Sequence, residues 1–424
     1  MKGGIKMEEN KTKKEGMGMD RRAFLKTATI LGTTMTIGGL PRLAHAQAKK
    51  TIKIGAIAPL SGYNASVGQH MKNAYELAIG EINAAGGVKS LGGARIELLT
   101  GDDEGKPESG MAEAERLIRA GVVMLTGSEA SQVSFATTEV AEKNKICHIV
   151  PISTSDNITE RGFKYTFRTT DRTASQGPRI MRFVKALEVQ GGVDLKTAVM
   201  LHVDNMYGKF QAETVKKAAK DTGIIEILAD FAYPSNVRDL SSEITKAKSY
   251  KPDLLMACSF VQDSILITNT MFEQRFEVKG VLGLGSHHHL PEYLQAVGKK
   301  GEYVMTATSY VNHVGKKATD LVAKYLSKYG KIITYHAAAA YETGYFIADV
   351  LERAGSTDSE KIRDALTRSN YFSEWQTREG TVYFDETGQC PSNLRALIQI
   401  IGGKHYVVNP PQFAERPPVF PIPK

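Results

Sequence analysis

Apolar residues along this chain follow two periods, one typical of strands and one typical of helices. Residues 52–58 form a nearly continuous apolar run, which predicts a strand buried on both faces, as in a parallel sheet. Apolar residues then recur at helical spacing from Met71 to Ile82, which predicts an amphipathic helix. The turn between them, residues 59–63, follows the carboxyl end of a strand, where open α/β sheets bind ligands.

The same alternation of strand and helix continues through most of the chain, which predicts an α/β fold with doubly wound layers. We expect two sheets, because open twisted sheets rarely exceed about ten strands. Helical spacing fills the intervals, and two further helices are predicted over residues 337–351 and 359–366. The predicted strands lie at residues 96–100, 122–126, 146–151, 198–203, 225–231, 254–259, 278–284, 304–308, 381–384, 396–401 and 405–408.

Residues 409–424 carry six of the fifteen prolines, so they cannot form a helix or a central strand. Two alternatives remain for this segment. It is either an extended strap that lies on one layer of the fold or a disordered tail.

The N-terminal region has the features of an export signal. Arg21 and Arg22 precede a mildly apolar run over residues 27–40, which is typical of the twin-arginine route. A small-residue cleavage site ends at Ala46, so residues 1–46 are predicted to be removed and the mature chain to reach the periplasm. The apolar run is shorter than the roughly 20 residues of a membrane span, and no cysteine near the cleavage site favours a lipid anchor.

Charge and cysteine content narrow the function classes. Residues 1–46 hold nine Lys/Arg and four Asp/Glu, a surplus of +5, so the remaining 378 residues carry only +3 of the total +8. This small surplus gives no support to nucleic-acid binding. Three cysteines, Cys147, Cys258 and Cys390, are too few for a disulfide scaffold, and the first two are predicted to be buried.

Motifs for nucleotide binding and hydrolysis are missing: the chain has no phosphate loop, no GxGxxG after a strand, no GxSxG and no HExxH. We therefore expect neither an enzyme nor a cofactor. The run His287, His288 and His289 is the strongest metal candidate. Because consecutive residues of an extended backbone point to alternating faces, we favour an exposed polar loop over a metal site.

Hydroxyl groups cluster after two of the predicted strands. Ser131 lies where one strand leads into a helix, beside backbone N–H groups at a positive dipole end. Residues 151–155, which include Ser153 and Thr154, repeat this arrangement one strand later. Both segments suit the binding of a small carboxylate, and both are equally typical of ordinary helix caps.

Five segments together resemble a known family, the leucine/isoleucine/valine-binding proteins of branched-chain amino acid ABC importers. The resemblance covers nearly the whole mature chain, and it depends on the order and spacing of the segments. They are IKIGAIAPLSG (52–62), NAYELAIGEINAAGGV (73–88), TGDDEG (100–105), TERGFKYTFRTT (159–170) and the turn at residues 205–208.

The resemblance implies a type I periplasmic binding protein, with two doubly wound lobes joined by three crossover strands and a ligand cleft between them. The first lobe would comprise residues 51–172 and about 309–385, and the second residues 173–308 and about 386–424. The implied partners are a small ligand, such as an amino acid, amide or carboxylate, and ABC permease subunits in the inner membrane. We expect a monomer that binds no nucleic acid.

By position, Ser131 and Thr154 match the residues that hold the ligand carboxylate, with Ile152 and Ser153 beside them, and Tyr207 matches the aromatic that closes over the ligand. The remaining residues expected near the ligand are Val67, Phe260, Val261 and Ser286.

The chain departs from the family pattern at positions that bear on the ligand's ammonium group. Thr173 stands where an aspartate is usual, and Gly285 and Ser286 fall where an acid contacts the ligand. An ammonium buried without a counter-charge is costly, so these changes argue against an amino acid. Three acids remain as substitutes: Asp171, Asp204 and Asp263.

The leading hypothesis is thus a periplasmic substrate-binding protein of an ABC importer. A ligand-sensing subunit for a membrane receptor is the main alternative, and no feature of the sequence separates the two. A twin-arginine-exported cofactor enzyme is a third hypothesis, which the missing motifs disfavour.

Overall fold

The described part of the chain contains two sheets, as expected. The computed structural model describes residues 51–309, 316–375, 381–391 and 395–423, and the predicted export signal, residues 1–46, lies outside this part. Among the described residues, the first sheet has the order β2-β1-β3-β4-β5 and is parallel throughout. Its strands are Thr51–Ala58 (β1), Arg95–Asp102 (β2), Met124–Gly127 (β3), Cys147–Val150 (β4) and Thr166–Arg168 (β5).

The second sheet has the order β12-β11-β10-β9-β8-β6-β7. Strands β6 to β10 pair in parallel, whereas β11 pairs antiparallel with both β10 and β12. Its strands are Thr197–Val203 (β6), Glu226–Tyr233 (β7), Leu254–Cys258 (β8), Gly280–Gly283 (β9), Met305–Thr308 (β10), Ala396–Ile401 (β11) and Lys404–Asn409 (β12).

Helices cover the faces of both sheets, which is why central strands such as β8 are buried along their whole length. In the described part of the chain, each helix is too short or too polar to span a lipid bilayer. The helices are Ala65–Ala84 (α1), Pro107–Arg119 (α2), Ser131–Lys143 (α3), Thr173–Gly191 (α4), Met206–Thr222 (α5), Ser241–Ser249 (α6), Val261–Glu273 (α7), Pro291–Val297 (α8), Lys316–Tyr329 (α9), Tyr335–Ala354 (α10) and Ser359–Thr367 (α11).

The chain passes between the two sheets three times. It leaves the first sheet after β5, returns after β10 so that α10 packs on α1, and leaves again before β11. The first and last of these passages run side by side, because Cys390 N–H donates to Arg168 C=O over 2.9 Å. One core cluster contains residues from the helices of both sheets, among them Met71 of α1 and Val261 of α7.

The C-terminal segment is an extended strap on the second sheet, which confirms the first of the two alternatives. Ile422 N–H donates to the carbonyl of Lys279 and Val419 N–H to the side chain of Gln399. Phe420 is buried in the core of the second sheet, and this contact explains why a proline-rich segment is held in place.

One predicted element is wrong and one strand was not predicted. No strand forms at residues 381–384, because Val382 makes only an isolated bridge to Tyr371. Strand β5 was not predicted, since three residues that include an arginine give too short an apolar signal.

The prediction that Cys147 and Cys258 are buried is confirmed. Cys390 is buried as well, and none of the three forms a disulfide.

Candidate functional site

A buried cavity lies at the carboxyl ends of β3 and β4, where the sequence placed the two hydroxyl clusters. The empty space between its walls, including the part that is open to solvent, is about 410 Å³. Its walls come from both sheets and from the helix α10. The lining residues are Glu129, Ala130, Ser131, Ile152, Ser153, Thr154, Gln176, Tyr207, Phe260, Gly285, His287, Tyr335, His336 and Arg395.

Six of the nine residues expected near a ligand line this cavity: Ser131, Ile152, Ser153, Thr154, Tyr207 and Phe260. Val67 and Val261 do not line it, because both side chains are fully buried in the apolar core. Ser286 begins a short 3₁₀ turn next to the lining residue Gly285, but its side chain lies outside the described part of the structure.

The hydroxyl groups of the two clusters, around Ser131 and at residues 151–155, are not helix caps. Ala130 is the N-cap of α3 and makes no side-chain cap, which leaves Ser131 on the first turn with its hydroxyl at the cavity. The second cluster opens a 3₁₀ turn at Asp156–Ile158, not the α-helix that the sequence suggested, and Ser155 makes no side-chain cap there. Thr173 donates to both the carbonyl and the hydroxyl oxygen of Thr154, over 2.9 and 3.2 Å.

The opposite wall is aromatic. Tyr207, on the first turn of α5, lies with its ring centroid 5.7 Å from that of Phe260. The chain passes so close to Tyr207 at Gly285 that a Cβ atom there would lie 2.0 Å from the tyrosine hydroxyl. This contact is a physical reason for glycine at the position where the resemblance led us to look for an acid.

None of the three acids considered as substitutes lines the cavity. Asp204 is on the surface and pairs with Lys209 over 2.7 Å. Asp263 accepts hydrogen bonds from Tyr63, Tyr233 and the backbone of Phe260.

Asp171, the third acid, belongs to a buried ion-pair network. Its carboxylate oxygens lie 2.7 Å from Arg179 Nη1 and 2.8 Å from Arg395 Nη2, and all three side chains are buried. Burial alone would raise the pKa of Asp171, but the charges of Arg395 and Arg179 outweigh it and hold that pKa well below its usual range. Since Arg395 precedes β11 and Asp171 follows β5, the network ties together two of the passages between the sheets.

Glu129 is an acid in the cavity wall that the sequence reasoning did not select. Asn64 donates to its Oε2 over 3.0 Å, and its Oε1 lies 3.4 Å from Nε2 of His287. His336, at the start of α10, packs against His287 with ring centroids 5.2 Å apart. Burial and the neighbouring His287 lower the pKa of His336 well below its usual value, so this imidazole is neutral at pH 7.

The histidine run was expected to form an exposed polar loop, and this expectation is wrong. His287 and His288 are 4% and 2% exposed, because residues 286–289 form a 3₁₀ turn that packs into the interior. Only His287 lines the cavity. His288 packs on Tyr293, and His289 Nε2 accepts from the backbone N–H of Tyr335 over 2.9 Å.

A second buried acid near the cavity, Asp103, predicts a pH dependence of stability. Burial raises the pKa of Asp103 to about 7, and the charges of Glu129 and Asp102 add to this effect. The hydrogen bonds to its carboxylate lower the pKa but do not cancel the rise. A raised pKa in the folded state means a contribution to stability that is present below about pH 4 and is lost as the pH rises through 7. The Asp103→Asn variant should therefore be more stable than wild type at pH 8 and should gain nothing at pH 4.

Melting temperatures measured from pH 4 to pH 8 test this prediction, with Asp102→Asn as the matched control. Asp102 accepts backbone bonds from Leu60, Ser61 and Glu104, which lower its pKa against the effect of burial, so its replacement should reduce stability at pH 8. Equal pH profiles for wild type and Asp103→Asn would contradict the assignment.

The chain matches known proteins over most of its length. The model of a family described as periplasmic binding protein matches residues 51–404. Among curated relatives, Leu/Ile/Val-binding protein homolog 3 of Brucella melitensis is 28% identical over 354 residues, which cover 83% of this chain and 92% of the relative. The leucine-, isoleucine-, valine-, threonine- and alanine-binding protein of Pseudomonas aeruginosa is 27% identical, covering 84% of this chain and 91% of the relative.

Solved structures show the same fold. The branched-chain amino acid transporter substrate-binding protein LivJ of Streptococcus pneumoniae, in complex with isoleucine, is 25% identical with a TM-score of 0.73, covering 85% of this chain and all of that one. A solute-binding protein of an ABC transporter from R. palustris, in complex with benzoate, also has a TM-score of 0.73, at 20% identity, covering 85% of this chain and 96% of that one.

Proposed function

Since the chain belongs to the periplasmic binding protein family, we propose that it is the substrate-binding protein of an ABC importer. It would bind a branched-chain amino acid or a related small carboxylate or amide, and deliver it to permease subunits in the inner membrane. No covalent chemistry is needed for this role. The predicted twin-arginine signal would bring the folded protein to the periplasm, where such a receptor works.

The two sheets would be the centres of two lobes that close over the ligand. We assign residues 51–172 and about 309–385 to the first lobe, and residues 173–308 and about 386–424 to the second. The separate sheets and the three passages between them support this division. Closure would be a hinge motion about those passages.

The observation that carries the proposal is the set of groups at the cavity wall formed by α3. Ser131 presents a hydroxyl there, and the first backbone N–H groups of a helix have no partner within the helix. Thr154 adds a second hydroxyl from the neighbouring strand end. Together with the positive end of the helix dipole, these donors suit a carboxylate.

The acids considered as counter-charges for an ammonium group do not supply one. Asp171 and Asp263 bond other groups and do not line the cavity, and the acid that does line it, Glu129, lies 3.4 Å from His287. Tyr207 and Phe260 offer an apolar wall opposite the hydroxyl groups. We therefore place aliphatic and aromatic carboxylates ahead of amino acids as the cargo.

Thermal shift with a ligand panel tests the proposal. The panel contains branched-chain amino acids, amides, and aliphatic and aromatic carboxylates, each paired with its uncharged alcohol. A ligand at a hundredfold excess over its Kd should stabilise the protein by roughly 2.7 kcal/mol, whereas its alcohol should not. The proposal fails if no panel member raises the melting temperature.

A hydrogen bond between the two proposed lobes is expected to stabilise their closed form, and we call it the closing contact. Tyr63, which follows β1, donates to Asp263 of α7 over 3.1 Å, and Asp263 is 1% exposed. A bond to a carboxylate contributes about 1.5–3 kcal/mol, so Tyr63→Phe should weaken ligand binding roughly tenfold or more by favouring the open form.

Calorimetric titration with the strongest panel ligand measures this effect. Tyr75→Phe is the matched control, because the Tyr75 hydroxyl bonds Thr126 over 3.0 Å, and both residues belong to the proposed first lobe. The control should lose stability but keep its affinity within about twofold. Equal affinities for wild type and Tyr63→Phe would exclude the closing contact.

A further inference from the structure

Three ligating side chains from distant parts of the chain meet in the cavity. Glu129 follows β3, His287 lies in the 3₁₀ turn after β9, and His336 is on the first turn of α10. Their ligand atoms all lie within 4.8 Å of one another. Around a tetrahedral ion with bonds of 2.0–2.1 Å, ligand atoms are about 3.3 Å apart. The distance between Oε1 of Glu129 and Nε2 of His287 is already 3.4 Å.

The two imidazoles have buried nitrogen atoms that the protein does not satisfy. Neither ring nitrogen of His287 makes a hydrogen bond of good geometry, and Nδ1 of His336 makes none. Both side chains are nearly inaccessible, with exposures of 4% and 1%. A buried polar atom without a partner is energetically costly, so several at one place point to a ligand that supplies the missing bonds.

The carboxylate of Glu129 is held in the orientation that an ion would need. Asn64 donates to Oε2 over 3.0 Å, which leaves Oε1 directed towards His287. The hydroxyl of Ser153 donates to the backbone carbonyl of Glu129 over 2.9 Å and fixes the loop. Such supporting bonds orient the ligands of protein metal sites.

We propose that Glu129, His287 and His336 form a binding site for a divalent transition-metal ion of the Zn²⁺ class. Two imidazoles and one carboxylate are a ligand set that suits zinc and its neighbours in the first row. All three residues line the cavity, so the remaining coordination position would be open to it. Arg395 also lines the cavity, but its guanidinium group is bonded to Asp171.

Zinc titration of the full mature chain tests the site. The protein is purified without a polyhistidine tag, stripped with EDTA and titrated with ZnCl₂ in a calorimeter. We expect one equivalent to bind, and His287→Gln, His336→Gln and Glu129→Gln each to weaken binding at least tenfold. Circular dichroism checks that each variant is folded. If a histidine variant does not fold, the nearly isosteric Glu129→Gln still tests the site.

His289→Gln is the matched control, because it makes the same substitution two residues from His287 at a side chain that bonds Tyr335 instead. Its zinc affinity should stay within about twofold of wild type. The inference is overturned if stripped wild type binds no stoichiometric zinc, or if His287→Gln binds it as tightly as His289→Gln. Repeating the ligand panel on stripped protein separates this outcome from a failure of the proposed transport function.

Discussion

Replacement of Asp171 by asparagine is expected to destabilise the protein by about 3–5 kcal/mol. The variant would leave Arg395 buried, at 4% exposure, without the carboxylate that it bonds, and would remove the same carboxylate from Arg179. The cost is large because removing a guanidinium group from water is unfavourable unless a nearby anion offsets the lost hydration. The change would also loosen two of the three passages between the sheets, since Asp171 and Arg395 lie on different ones.

Urea unfolding followed by circular dichroism measures this loss, with Asp204→Asn as the control. Asp204 pairs with Lys209 on the surface, and removal of an exposed pair should cost less than about 1 kcal/mol. The low pKa of Asp171 in the folded state gives a contribution to stability that is present above about pH 4 and is lost as the pH falls. The difference in unfolding free energy between wild type and Asp171→Asn should therefore become smaller below pH 4. Equal losses of unfolding free energy in Asp171→Asn and Asp204→Asn at pH 7 would refute the role of the network.

Loss of the Ser131 hydroxyl is expected to weaken ligand binding by roughly one to two orders of magnitude. A hydrogen bond to a charged group contributes about 1.5–3 kcal/mol, and Ser131 lies where a carboxylate meets the start of α3. Thr154→Ala should have a similar effect, because Thr154 lines the same cavity as Ser131. Neither variant should unfold.

Ser134→Ala is the control for these variants. Ser134 lies one turn further along α3, bonds Ser153 over 2.7 Å and does not line the cavity. It should lower the melting temperature while its affinity for the best panel ligand stays within about twofold of wild type. Wild-type affinity in both Ser131→Ala and Thr154→Ala would remove these residues from the site.

The alternation of strands and helices was predictable from the sequence, because parallel strands that are covered on both faces must be apolar along their whole length. This rule found β8 and its neighbours to within about two residues. It missed β5, whose three residues include Arg168, and it wrongly predicted a strand at residues 381–384. In both places a few long-range bonds decide the local structure, and periodicity carries no information about them.

The candidate site was partly predictable for a related reason. Ser131 and Thr154 follow buried strands, and the carboxyl ends of parallel strands meet at one edge of a sheet. His336 and Arg395 could not be selected in this way, because they reach the cavity from distant parts of the chain, the start of α10 and the segment before β11. Glu129 follows β3, and the rule that found Ser131 could have found it too. For His287, the error came from treating the run as extended, whereas a 3₁₀ turn directs its three side chains to different partners.

The resemblance to the leucine/isoleucine/valine-binding proteins is confirmed. The structure also gives physical reasons for two positions at which the chain differs from the family pattern. Thr173 uses its hydroxyl to hold Thr154 in place, and Gly285 makes room for Tyr207. Both positions therefore serve the shape of the cavity, and neither provides a counter-charge for an ammonium group.

The position of a bound carboxylate tests the central claim most directly. A crystal structure of the protein with the carboxylate that gives the largest thermal shift should show its oxygens about 2.7–3.0 Å from the hydroxyl of Ser131 and from backbone N–H groups of the first turn of α3. The remainder of the ligand should lie against Tyr207 and Phe260. A ligand bound outside this cavity, or one whose carboxylate points away from α3, would contradict the account.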